Sequence, residues 1–151
     1  DVIGHSLGGR GVVLALAEIA SRYPEERVGH VVLLAPDMDF EIFVRLWPRI
    51  SRIAEGFTIY VSDEDRPLAV SAQLHGYQRL GQAGNDVSSL DGVEVIDVSM
   101  LPDVDASGHL YHIHDARVGD DLNLLLNQRL AANERAGLTV TGTNTWSILQ
   151  N

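Results

Sequence analysis

Residues 4–9 read Gly4-His5-Ser6-Leu7-Gly8-Gly9, and this hexapeptide decides the fold. It has the form G-x-S-x-G, a sharp strand-to-helix turn that leaves a serine hydroxyl exposed. Such a turn strains the serine backbone, and side chains two positions before or after it would collide, so glycine is expected at 4 and 8. The flanks agree. Asp1-Val2-Ile3 supplies the end of a strand, and Gly9, Gly11 and Val12-Val13-Leu14-Ala15-Leu16-Ala17 open an apolar helix. Ser6 is the candidate nucleophile. The backbone N–H of Leu7, at the positive end of that helix, is the candidate donor to an oxyanion.

Outward from the elbow, apolar strand-like runs alternate with helical patterns. His30-Val31-Val32-Leu33-Leu34-Ala35 reads as a strand buried on both faces. Asp39 is a plausible N-cap for a helix over 40–54, which Pro48 should kink or divide. Its Phe40, Phe43 and Trp47 stand at helical spacing, which favours a core role over a substrate pocket. Phe57-Thr58-Ile59-Tyr60-Val61 is the next strand. The acidic turn Ser62-Asp63-Glu64-Asp65 leads into a helix from Pro67 to about Leu80, then a loop over 81–91. Val93–Val98 reads as the last strand, followed by a polar loop over 99–116 and a final helix over 119–135. This alternation predicts an α/β fold, a mostly parallel sheet with helices on both faces. So little chain precedes the elbow that the first strands of the sheet are expected upstream. Residues 1–136 then form the C-terminal portion of one domain, and the Thr-, Gly- and Asn-rich residues 137–151 are expected to be a mobile tail.

Bulk properties narrow the function classes. The chain has 151 residues, 45% of them hydrophobic and 21% charged, as in a soluble globular domain. A net charge of −10 argues against nucleic acid or an anionic membrane as a partner. There is no cysteine, hence no disulfide or thiol chemistry. No run of eighteen apolar residues is present to span a membrane.

A serine hydroxyl needs a base to take its proton and an acid to orient that base. In open α/β sheets such groups gather at the carboxyl ends of strands. Asp63, Glu64 and Asp65 follow one strand, and Asp37 and Asp39 follow another. His109, His112 and His114 lie in the loop after Val98. His5 adjoins Ser6 but diverges from it on a sharp turn, which favours a packing role. Arg66 reads as a surface ion-pair partner of Asp63 or Asp37.

Together, the elbow, the acidic turn 62–65 and Ser107-Gly108-His109 resemble the second half of an α/β-hydrolase, in the chain order nucleophile, acid, histidine. Leu34-Ala35-Pro36-Asp37-Met38-Asp39 and Asp65-Arg66 are similar to a bacterial lipase- and esterase-like group whose substrates are largely uncharacterised. The resemblance covers most of residues 1–130. It implies Ser6 as nucleophile, His109 as base and Asp65 as the acid, with Asp63 and Asp37 as alternatives. It implies hydrolysis of a carboxylic ester or related acyl bond through an acyl-enzyme, with a small acyl ester as substrate and no cofactor. In that fold the second oxyanion donor comes from an earlier loop that this sequence does not contain, so the isolated chain is expected to be inactive. Two other readings stand beside it: a non-catalytic or truncated α/β-hydrolase-like domain, and a metal site at His109, His112 and His114.

Overall fold

The computed structural model describes residues 1–102 and 106–148. A six-stranded sheet runs through it in the order β1-β2-β3-β4-β6-β5. The strands β1 (Val2–His5), β2 (Val28–Leu34), β3 (Ala54–Val61) and β4 (Val93–Asp97) are mutually parallel. Next to β4 lies β6 (Thr145–Ile148), also parallel, and β5 (Leu138–Gly142) pairs antiparallel with β6.

Successive strand residues point to opposite faces, which divides the interior into two cores. On one face Val31, Leu33, Phe57, Ile59 and Val95 pack with Val13 and Leu16 of α1 (Leu7–Arg22) and with Phe43, Trp47 and Ile50 of α2 (Phe40–Ile50). Phe43 and Trp47 lie 5.6 Å apart, and Trp47 meets Phe57 edge-on at 5.1 Å, so this aromatic stripe is core. On the other face Val32, Leu34, Tyr60 and Ile96 pack with Leu68 of α3 (Arg66–His75), Tyr111 of α4 (Tyr111–His114), and Val118 and Leu125 of α5 (Ala116–Gln128). Burial of each such side chain contributes about 1.5–3 kcal/mol. The architecture is α/β with a mostly parallel sheet and helices on both faces.

Several boundaries differ from the sequence expectation. Pro48 sits in the last turn of α2, and the helix stops at Ile50 rather than 54. The helix α3 ends at His75 because Gly76 takes φ +75°, a left-handed stop. The loop after β4 contains the short helix α4; its residues 103–105 lie outside the described residues.

The largest correction concerns the tail. Residues 138–148 form the β5–β6 hairpin, and β6 extends the sheet through pairing of Ile96 with Trp146. Its composition reads as loop, but Thr139, Val140, Thr145, Trp146 and Ile148 are β-formers around a tight turn. Asn144 holds that turn at φ +61° and ties it down by donating to Val87 O and Leu90 O. Residues 149–151 lie outside the described residues.

Just before the hairpin, Arg135 is buried. Its guanidinium donates to Glu94 Oε2 at 2.8 Å and Asp121 Oδ2 at 3.1 Å. Tyr60 also donates its hydroxyl proton to Asp121, at 2.6 Å. One guanidinium thus serves two carboxylates under the α5 face of the sheet.

Candidate active site

The elbow has the backbone its sequence requires. Ser6 follows β1 and stands at the N-cap of α1 with φ 53° and ψ −126°, a sparsely populated region that costs about 1–3 kcal/mol. It is held by three backbone hydrogen bonds. Ser6 N donates to Leu34 O at 3.0 Å, and Ser6 O accepts from Gly9 N at 3.0 Å and from Asp37 N at 3.1 Å. A Cβ at Gly4 would lie 2.7 Å from Gly9 Cα, and one at Gly9 would lie 3.0 Å from Pro36 Cβ. At Gly8 no described atom stands within 4 Å of an added Cβ. The tight packing therefore falls on Gly4 and Gly9, not on Gly4 and Gly8 as the motif suggests. Leu7 is the first residue of α1, where a backbone N–H has no intrahelical acceptor and is free to meet an anion.

Beyond the carboxyl end of β3, Asp65 and His109 meet. The Nδ1–H of His109 donates to Asp65 Oδ2 at 2.6 Å, and the Asp65 side chain is fully buried. The other carboxylate oxygen, Oδ1, accepts from Leu68 N at 2.9 Å and caps α3. One carboxylate thus starts a helix and fixes a histidine. Because Nδ1 carries the proton, Nε2 of neutral His109 is the basic nitrogen.

Three devices bring His109 there. Gly108 has φ +67°, and a Cβ on it would strike Glu64 O at 2.4 Å, so the loop passes hard against the acidic turn. Arg66 clamps the same loop, its backbone N–H donating to Ser107 O and its NH1 to Ala106 O, both at 3.0 Å. The buried Tyr111 anchors the far side: its hydroxyl accepts from Ala35 N at 2.9 Å and donates to Tyr60 O at 3.0 Å. Burial holds that phenol neutral, pushing its pKa up.

His109 is joined to the elbow through His5. The Nε2 of His5 lies 3.3 Å from His109 O, and their ring centroids are 4.6 Å apart. His112 packs on His5 at 4.4 Å. Burial lowers the pKa of His5, and burial together with the neighbouring histidines lowers that of His112 to about 4. Among the described residues, the Ser6 hydroxyl makes no hydrogen bond to the His109 ring.

The other candidate acids are engaged elsewhere. Asp37 accepts from Ser71 Oγ at 2.8 Å and pairs with the buried Arg79 at 3.2 Å. Asp63 is exposed, and its backbone N–H donates to Ser99 Oγ. Asp39 caps α2 by accepting from Ile42 N, as its position predicts. Arg66 pairs with neither Asp63 nor Asp37, since its NH1 reaches Ala106 O. The metal reading finds no arrangement to support it. His114 is exposed, Asp115 is paired with Arg117 at 2.6 Å, and no three His, Cys, Asp or Glu among the described residues are grouped to hold a metal ion. A groove of about 430 Å³, lined by His30, Glu94 and Arg129, holds none of the sequence-predicted site residues. No described helix is long and apolar enough to cross a membrane.

Sequence reasoning missed Tyr111 and the Arg66 clamp. A lone tyrosine and an arginine beside an acidic turn carry no motif; only the meeting of distant segments gives them a role.

Residues 1–129 match the family model described as alpha/beta hydrolase of unknown function (DUF900). No curated protein and no solved structure gives a match. With the family match spanning most of the sequence and the sheet, the elbow and the Asp65–His109 pair in place, the chain belongs to the alpha/beta-hydrolase family.

Proposed function

We propose that the protein is a serine hydrolase that cleaves a carboxylic ester or related acyl bond of a small molecule. The observation that carries this reading is the 2.6 Å Asp65–His109 hydrogen bond beside a serine held at φ 53°. Ser6 Oγ attacks the acyl carbonyl while its proton passes to His109 Nε2. The carbonyl oxygen becomes an oxyanion that accepts from Leu7 N–H. Collapse of this intermediate breaks the bond to the leaving alkoxide, which takes the proton from His109 and departs as an alcohol. Water then gives a proton to His109 and adds to the acyl-enzyme; collapse releases the acid and returns the proton to Ser6. Asp65 holds the Nδ1–H tautomer throughout and stabilises the transient imidazolium. One oxyanion donor is worth about 10²–10³ in rate.

The test is covalent labelling of the protein at its full natural length with a fluorophosphonate, beside hydrolysis of short and long p-nitrophenyl esters. Labelling that is abolished by Ser6→Ala is the expected result. Labelling that persists in Ser6→Ala, or none in the wild type, overturns the reading.

A further inference from the structure

We propose that His5 is a positioning residue: it ties the base to the nucleophile by holding the His109 main chain from the neighbouring residue of the elbow. The inference rests on the hydrolytic reading above.

The two reactive groups come from distant parts of the chain. Ser6 is fixed by β1 and by three backbone hydrogen bonds. His109 arrives on a loop turned by Gly108 at φ +67°. Asp65 sets the tautomer of His109 through Nδ1, and Gly108 and the Arg66 clamp fix the approach of its loop, but none of these contacts is with the elbow. A contact with the elbow itself is needed to refer Nε2 to Ser6. His5 supplies it. A carbonyl oxygen can only accept, so the 3.3 Å contact means that His5 Nε2 carries the proton and donates to His109 O. The rings also pack at 4.6 Å with a 51° tilt, and His112 packs on His5 at 4.4 Å.

His5 and Ser6 are consecutive, so the placement of His109 is referred to the nucleophile across one residue. The attachment also suits the charge that develops. When His109 becomes imidazolium, a cationic His5 in contact with it would push the loop away. Burial lowers the pKa of His5 and so disfavours its charged form, which suits a contact that must hold while the charge on His109 comes and goes.

The experiment compares His5→Phe and His5→Gln in the protein at its full natural length. Phenylalanine keeps a ring without a donor. Glutamine keeps an amide donor at the reach of Nε2. For His5→Phe the expected result is a kcat lowered about 10–100-fold with KM nearly unchanged, as misplacement of a reacting group by about 1 Å would produce. The rate of Ser6 labelling should fall in parallel. His5→Gln should recover most of that loss. In a His109→Ala background, His5→Phe should cost nothing further, because the residue it positions is gone. Melting curves run on each variant separate a folding defect from misplacement. A folded His5→Phe with wild-type kcat, or one altered only in KM, overturns the proposal. So does a folded His5→Gln no better than His5→Phe. Absence of Ser6-dependent labelling in the wild type is a different outcome: it removes the hydrolytic reading itself.

Discussion

Replacing Asp65 by Asn separates the two jobs of one carboxylate. Oδ1 caps α3 by accepting from Leu68 N at 2.9 Å, and Oδ2 accepts the Nδ1 proton of His109 at 2.6 Å. Asparagine keeps one oxygen, and the cap is the contact a neutral amide oxygen can still make. Its NH₂ then faces His109, and a donor there forces Nδ1 to accept. The ring proton moves to Nε2, the nitrogen that must take the serine proton. A wrong tautomer of this kind costs about 10⁴ in kcat, or about 5.4 kcal/mol of barrier. Stability should change by only about 1 kcal/mol or less, because the helix keeps its cap. Asp65→Ala should lose the same activity and about 1 kcal/mol more stability, since Leu68 N loses its acceptor. The assay is ester turnover and Ser6 labelling rate beside urea midpoints, with Asp63→Asn and Asp37→Asn as controls. Asp37→Asn weakens the pairing to Arg79 and should affect stability more than turnover. Turnover of folded Asp65→Asn within tenfold of wild type would refute the reasoning. So would an Asp63→Asn enzyme that loses as much as Asp65→Asn.

Two further predictions follow from the same corner of the molecule. Gly108→Ala places a Cβ 2.4 Å from Glu64 O on a backbone at φ +67°, so the loop must move; turnover should fall by at least about tenfold, with a lowered melting temperature. His112 makes stability fall in acid. Its folded pKa of about 4 lies below the unfolded value of about 6.5, so the unfolded chain takes up a proton first as pH drops. The stability it contributes is complete above about pH 6.5 and lost progressively toward pH 4. His112→Phe should narrow the difference between urea midpoints measured at pH 7.5 and pH 5, and an unchanged difference counts against this account.

The elbow was legible because it is local: six consecutive residues carry a steric requirement that few other structures share. The strand and helix alternation was legible for the same reason, each element declaring its own period. The sequence could name Asp63, Asp65 and Asp37 but not choose among them on chemistry alone. All three are carboxylates near strand ends, and what separates them is which one a loop from residue 108 passes. The adjacency of His5 to Ser6 is plain in the sequence, but nothing at position 5 reports a carbonyl arriving from position 109. The hairpin failed for another reason. The Thr, Gly and Asn content of the tail is that of a loop, its β-formers Thr139, Val140, Thr145, Trp146 and Ile148 are few, and the partner strand β4 lies more than forty residues upstream.

The family likeness stops at residue 129, yet Arg135 and the hairpin lie beyond it. A chain cut where the likeness ends would leave the partly buried Glu94 and the buried Asp121 without the cation they share. Removal of one partner from a buried pair costs about 3–5 kcal/mol, a large share of what a domain has. The cut would also strip β6 away and leave β4 an open template for aggregation. The cooperative unit is thus longer than its evolutionary signature, and any dissection of this protein has to keep everything through Ile148.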